Sequence, residues 1–159
     1  MWLVAAAFLP QLLVAYLHPT QQLVPTEAAR AALPLSLAVF LVFVWLNRGL
    51  RGMPILMIGL VLNLLVIAAN GGWMPISPVT AGNLPGGSDP EQATLGTRFG
   101  QKDVLLLPED TRLEFLSDRY LLPSWMHYAT AFSLGDVFVA VGAFLLLARP
   151  RAAPTSRVE

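Results

Sequence analysis

The chain contains no cysteine and few charged residues. The absence of cysteine excludes disulfides, thiolate metal sites, iron–sulfur clusters and cysteine nucleophiles. Without cysteines, the cellular compartment cannot be inferred from disulfide usage. Acidic and basic residues make up 13% of the 159 residues, about half of the roughly 25% usual in a soluble domain. The ten acidic and ten basic residues cancel, so no overall field indicates nucleic acid as a partner.

The common short motifs of enzyme sites are also absent from the sequence. It has no P-loop, dinucleotide fingerprint, HExxH pair or nucleophile elbow. We therefore predict no catalytic residues, no metal site and no cofactor, and we prefer a non-catalytic role while leaving an enzyme open.

Apolar residues, in contrast, are abundant. They make up 55% of the chain, and the mean hydropathy is +0.61. Runs of this composition predict an all-α membrane protein with four transmembrane helices. The first run follows no Lys or Arg and precedes no small-residue cleavage site, which favours a retained helix over a signal peptide. We predict one membrane domain over 1–149 followed by a cytoplasmic tail over 150–159. The predicted spans in this domain are 2–17, 33–47, 54–70 and 131–148.

The basic residues predict how these helices are oriented. Arg48 and Arg51 lie between the second and third runs, and more arginines follow the fourth. Because basic loops stay on the cytoplasmic side, both termini should be inside, in the bacterial cytoplasmic (inner) membrane. The segment 71–128 should then lie on the outer face.

Two parts of this outer segment carry different local signals. Prolines and glycines over 75–90 predict a loop without regular structure. Residues 109–120 follow Pro108 and place apolar residues at helical spacing, which predicts a short amphipathic helix.

Three ordered motifs carry a resemblance to a known family. The sequence resembles a family of small, uncharacterised bacterial multi-pass membrane proteins, catalogued only as a domain of unknown function. The resemblance implies a fold and a topology but no activity. Members usually have one more amino-terminal helix, so we interpret this chain as one that lacks the usual first helix. The motifs are Asn63-Leu64-Leu65-Val66 with Asn70-Gly71-Gly72-x-Met74-Pro75-x-Ser77, Thr111-Arg112-Leu113-x-x-Leu116-x-Asp118, and Phe132-Ser133-Leu134-Gly135-Asp136-Val137.

Polar residues of these motifs fall near the predicted outer ends of the helices. An acidic residue within an apolar run suggests a functional site, but Ser133 and Asp136 also have the spacing of a helix capping box. The sequence supports either a ligand site or a set of helix ends tied together. The predicted outer polar cluster contains Asn70, Gly71, Gly72, Trp73, Asp118, Arg119, Ser133 and Asp136.

Small and amide side chains predict where helices pack against each other. Asn63 lies on a helix face where its amide can bond to a neighbouring helix. Ala131, Gly135 and Gly142 form a stripe of small residues typical of close helix packing.

Three functional hypotheses follow. The preferred one is a non-catalytic accessory or scaffold subunit of a larger membrane complex, with the lipid bilayer and other membrane-protein subunits as partners and no nucleic acid. The second is a small-molecule or lipid-headgroup site, in an enzyme or carrier, at the outer face. The third is a pigment- or haem-holding subunit of an electron-transfer or photosynthetic complex, with His18 or His127 as tetrapyrrole ligands.

Overall fold

The computed structural model describes residues 26–87, 89–100, 102–123, 125–126 and 128–148, without the side chains of 26–29. Within this part the chain forms three long helices and one short helix, together with five strands in two small sheets. The helices are α1 (Thr26–Leu46), α2 (Met53–Ala69), α3 (Pro78–Gly82) and α4 (Leu134–Leu147). The strands are β1 (Met74–Ile76), β2 (Arg98–Phe99), β3 (Asp103–Leu105), β4 (Tyr120–Leu121) and β5 (Ala131–Phe132).

Helix α2 lies at the centre of the helical layer and packs against both α1 and α4. Its inward face contributes Met53, Leu56 and Leu60 to a core that also contains Val44 of α1. The turn between α1 and α2 ends at Gly52, whose φ is 90°. A Cβ there would meet the backbone of α4, so glycine is required both for the backbone conformation and for the close approach.

The segment between α2 and α4 forms the two sheets. In the first, the strand order is β1-β3-β2, with β1 parallel and β2 antiparallel to the central β3. In the second, β4 pairs with β5 in antiparallel fashion immediately before α4. A core of Ile76, Ala81, Leu105 and Ala131 joins the two sheets with α3.

The prediction of a loop without regular structure over 75–90 was wrong. Pro75 occupies an edge strand, where a residue without an N–H can be tolerated. Ser77 caps α3 by accepting a hydrogen bond from the N–H of Thr80 at 3.1 Å, and Pro78 takes the first helical position, where proline fits well. Pro75 and Pro78 therefore occupy places in which regular structure accepts a proline.

The amphipathic helix predicted over 109–120 is replaced by two 3₁₀ turns, Pro108–Asp110 and Glu114–Leu116. Leu113 between them has a φ of 56°, a left-handed conformation that ends a helical path. The second turn places Leu116 in a core with Val66 and Met74. Tertiary burial of that leucine therefore prevails over the local helical spacing.

The prediction of an all-α membrane protein with four transmembrane helices was also wrong. No helix in the described part of the chain combines the length and the apolar character needed to cross a membrane. Helices α2 and α4 have 17 and 14 residues. At about 1.5 Å per residue they reach about 26 and 21 Å, compared with a hydrocarbon core of about 30 Å. Helix α1 has 21 residues, with Arg30 in its second turn and Pro34 in its third.

This finding also corrects the multi-pass description, the orientation with both termini inside, and the location in the inner membrane, all of which required those spans. The predicted first span over 2–17 and the tail over 150–159 lie outside the described residues.

Candidate functional site

The start of α4 is tied to α2 by a network of four hydrogen bonds. Ser133 and Asp136 form a capping box: the Ser133 Oγ accepts from the Asp136 N–H at 3.1 Å, and the Asp136 Oδ2 accepts from the Ser133 N–H at 3.0 Å. Asn63 of α2 donates through Nδ2 to the Asp136 Oδ1 at 2.8 Å. The Ser133 Oγ in turn donates to the Asn63 Oδ1 at 2.9 Å. Both carboxylate oxygens of Asp136 thus accept a hydrogen bond.

Glycines allow the two helices to approach closely enough for this network. A Cβ at Gly135 would collide with the side chain of Asn63, and one at Gly142 would lie 2.5 Å from the backbone nitrogen of Leu56. A Cβ at the third glycine, Gly59 of α2, would lie 2.5 Å from the backbone oxygen of Gly135. Ala131 precedes the network in β5 and belongs to the core beneath the sheets.

A second cluster of charges lies where the sheets meet the helices. Asp118 is fully buried, and its Oδ2 accepts a hydrogen bond from the Lys102 Nζ. That ammonium also lies 3.9 Å from the Oδ1 of Asp103, the first residue of β3. Backbone hydrogen bonds hold this arrangement on either side of β1: the Asp118 N–H donates to the Pro75 oxygen at 3.1 Å, and the Met74 N–H donates to the Lys102 oxygen at 2.9 Å.

The electrostatics of this cluster are dominated by burial. Burial raises the pKa of Asp103 to about 7, an effect that Lys102 opposes and that Asp118 and Asp136 reinforce. Burial also raises the pKa of Asp118 against the effect of Lys102. For Lys102, burial lowers the pKa, but the three carboxylates outweigh it and raise the pKa above its usual value. The lysine therefore stays charged while a proton is held among the carboxyls near neutral pH.

Two buried oxygens in the cluster, Asp103 Oδ1 and Asp118 Oδ1, have no hydrogen-bond partner within the described part of the chain. A proton shared between the two carboxyl groups reduces this deficit, because a protonated carboxyl can donate to an ionised one. The raised pKa of Asp103 is consistent with this arrangement.

The cluster does not resemble a metal centre. Over the described ranges, no group of three or more histidine, cysteine, aspartate or glutamate side chains is arranged to hold a metal ion. The ammonium of Lys102 lies beside two of the carboxylates, where it supplies the positive charge that a cation would otherwise provide.

The residues of the predicted outer polar cluster are distributed over four places. Ser133 and Asp136 belong to the α2–α4 network, whereas Asp118 belongs to the ion cluster. Asp136 is close enough to that cluster to raise the pKa values of its members. Arg119, next in sequence to Asp118, instead donates through Nη1 to the Glu114 Oε2 at 2.7 Å.

The remaining residues of that prediction lie at the end of α2. The Asn70 side chain bonds to the backbone of Arg112, accepting from its N–H at 3.0 Å and donating to its oxygen at 2.8 Å. Gly71 and Gly72 have φ values of 77° and 91° and turn the chain towards β1. Trp73 is buried, with the Arg98 guanidinium 4.2 Å from its ring centroid. Asn70 therefore attaches the segment around Arg112 to α2.

Sequence reasoning missed Lys102 and Asp103. The signal in the sequence was the short apolar run Val104-Leu105-Leu106-Leu107, which is typical of a buried strand. Lys102 and Asp103 directly precede this run and therefore lie at its start. His18 and His127, the predicted tetrapyrrole ligands, lie outside the described residues, so that hypothesis stays a prediction.

The fold and the site together define a protein of three packed helices joined to two small sheets by a buried polar junction. The chain belongs to the family of unknown function DUF5317, whose match extends over residues 1–148. This confirms the resemblance to a family of unknown function. Neither a curated protein nor a solved structure matches the chain significantly.

Proposed function

We propose that this chain is a non-catalytic subunit that docks through α2 against an apolar helix of a partner protein in a larger assembly. The observation that carries the proposal is the outer face of α2. Three large apolar side chains, three and four residues apart, are exposed on this face. Their exposed fractions are 46% for Ile58, 36% for Val61 and 51% for Leu65. Pro54 and Ala68 extend the same exposed stripe at both ends.

The spacing of this α2 stripe supports a helix as the occupant. Its positions are separated by four, three, four and three residues, which is the spacing of a seam between two packed helices. The opposite face of α2, including Leu56, Leu60 and Asn63, is already covered by α1 and α4. The stripe is thus a second packing surface on a helix whose first surface is in use.

The composition of α2 supports a partner that is itself apolar. Residues Met53–Ala69 contain no charged side chain, so ion pairs within the stripe cannot select the partner. Fully burying an exposed apolar side chain of this size contributes about 1.5–3 kcal/mol. Because the three side chains are already partly covered, docking adds about half of that for each. Exposed apolar surface of this kind is typical of an interaction site.

A comparison of two matched variants tests the proposal. Val61→Arg places a charge in the α2 stripe, whereas Val79→Arg makes the same change at a 65% exposed valine of α3. Because both sites are exposed, each purified variant should unfold within about 0.5 kcal/mol of the unmodified protein. The assembly would be purified from the native cells under non-denaturing conditions and weighed by native mass spectrometry.

We expect a stoichiometric complex with a different protein for the unmodified chain and for Val79→Arg, and its loss for Val61→Arg. A cross-linker placed at Leu65 should join the chain to an apolar helix of that partner. A lone monomer, a homodimer alone, or equal loss of the complex in both variants would overturn the proposal.

A further inference from the structure

A small polar cleft lies between α3 and the two 3₁₀ turns, separate from the α2 stripe. Its volume is about 190 Å³. Six polar residues line it, and two of them, Ser117 and Arg119, flank the buried Asp118 in sequence. The six are Ser77, Thr80, Thr111, Glu114, Ser117 and Arg119.

Most hydroxyl groups of the cleft already donate a hydrogen bond to another group of the protein. Thr111 Oγ1 donates to the Leu107 oxygen at 2.8 Å, and Ser117 Oγ donates to the Glu114 oxygen at 2.6 Å. Ser77 and Thr80 share one hydrogen bond at 2.9 Å. Because a hydroxyl oxygen keeps acceptor capacity after donating its proton, these groups leave the cleft with more acceptors than donors.

The two charges of the cleft are opposite and adjacent. The Arg119 Nη1 donates to the Glu114 Oε2, and the two side chains are 43% and 34% exposed. A guanidinium has five N–H donors and a carboxylate accepts several hydrogen bonds, so this contact leaves both groups able to bind more. The cleft thus offers one cation and one anion next to each other at no net charge.

We propose that this cleft binds a small zwitterion, with a free α-amino acid as the simplest member of the class. Its ammonium group bonds to the Glu114 carboxylate and to the hydroxyl oxygens of Thr111 and Ser117. Its carboxylate bonds to the free N–H groups of Arg119. An ammonium has three donors and no acceptor, which matches the excess of acceptors in the cleft.

The size of the cleft is sufficient for the zwitterionic part of this class. A volume of 190 Å³ corresponds to about six water molecules at about 30 Å³ each. The backbone atoms of an amino acid and a small side chain, such as that of alanine or serine, fit within this space. Because the cleft is open to solvent on one side, a larger side chain would project out of it.

Binding can be measured on the isolated 17.2 kDa chain by amide NMR titration. L-alanine is the zwitterionic probe, and ethylamine and propionate each carry only one of its charges. We expect saturable shifts with L-alanine at residues 77–81 and 111–119, and on the order of tenfold weaker binding of either single-charge probe, because each lacks one set of charge-assisted hydrogen bonds.

Variants at the two charges connect the shifts to the cleft. Glu114→Gln and Arg119→Gln should each weaken L-alanine binding on the order of tenfold. Glu109→Gln and Arg112→Gln make the same chemical changes at exposed neighbours outside the lining and should leave binding unchanged. Thermal melting of all four variants verifies that they fold.

Several outcomes would overturn the proposal. These are the absence of saturable shifts with L-alanine, equally tight binding of ethylamine or propionate, saturable shifts located elsewhere, or equal weakening in the control variants. None of these results depends on the partner assembly, so this proposal fails or stands independently of the docking proposal.

Discussion

The two polar clusters at the junction of helices and sheets both contain aspartate, but its hydrogen bonds are complete in one cluster and incomplete in the other. In the α2–α4 network, both oxygens of Asp136 are bonded by groups that the helix start and Asn63 supply. In the ion cluster, Asp118 depends on Lys102, sixteen residues away in sequence, and one oxygen on each of Asp103 and Asp118 lacks a partner within the described chain. A local cap and one amide from a neighbouring helix satisfy both oxygens of the partly buried Asp136, whereas the ion pair leaves one oxygen of the fully buried Asp118 unsatisfied.

This difference has consequences for what each cluster does. The satisfied network holds two helices at a separation that only glycine permits, which is a structural role. In the ion cluster, the raised pKa of Asp103 means that a proton is bound up to about pH 7. The contribution of this cluster to the free energy of unfolding therefore depends on pH. Three measurements sharpen the comparison, and each uses a variant that changes one of the two clusters.

The largest effect is expected from Gly135→Ala. The added Cβ collides with the Asn63 side chain and with the backbone of Gly59, so the hydrogen bonds of Asn63 to Ser133 and Asp136 break. We expect a loss of about 3 kcal/mol in the free energy of unfolding, measured by denaturant titration. Gly49→Ala adds the same methyl group where nothing lies within 4 Å and should be nearly neutral. Equal effects at the two glycines would contradict the close-packing interpretation.

A smaller loss, about 2 kcal/mol, is expected from Lys102→Met. The change leaves the fully buried Asp118 without its counter-charge. Breaking a fully buried pair costs about 3–5 kcal/mol, but Lys102 is 40% exposed, which reduces the loss. The double variant Lys102→Met/Asp118→Asn removes both charges and should recover at least half of the stability. If the double variant is no more stable than the single one, the uncompensated charge is not the cause.

The smallest effect is the pH dependence contributed by Asp103. Because its pKa is raised from 3.8 to about 7 in the folded protein, the folded state binds more protons than the unfolded state between these values. The free energy of unfolding should therefore fall as the pH rises from about 4 to about 7. Asp118 and Lys102 titrate together with Asp103, so we expect a contribution of about 1–2 kcal/mol.

The measurement is thermal melting across this range for the unmodified protein and for Asp103→Asn, which cannot titrate. Asp110→Asn, an exposed aspartate in the first 3₁₀ turn, serves as the matched control. The slope should be smaller in Asp103→Asn alone. An unchanged slope in that variant would show that Asp103 does not hold the proton.

Sequence reasoning succeeded where the interaction is local. Ser133 and Asp136 are three residues apart, so their capping box is visible in the spacing. The turn at Gly71 and Gly72 is likewise local, since two adjacent glycines permit the positive φ values found there. The structure also has helices over much of three predicted apolar runs.

The same reasoning failed where distant segments decide the outcome. The helical spacing over 109–120 was real, but Leu116 is drawn into a core built by α2 and β1. The prolines over 75–90 suggested a loop, yet pairing of β1 with β3 makes Pro75 part of a strand. The apolar runs predicted membrane spans from composition alone, whereas the lengths of α2 and α4 are set by where the chain turns.

By itself, the sequence determined the capping box at Ser133 and Asp136, the glycine turn after α2, the absence of cysteine chemistry and the membership of a family of unknown function, because these depend on composition and on neighbours along the chain. Only the tertiary structure decided that Lys102 meets Asp118 and that Glu114 and Arg119 line one cleft. The physical reason is that burial and charge pairing depend on which segments the fold brings together.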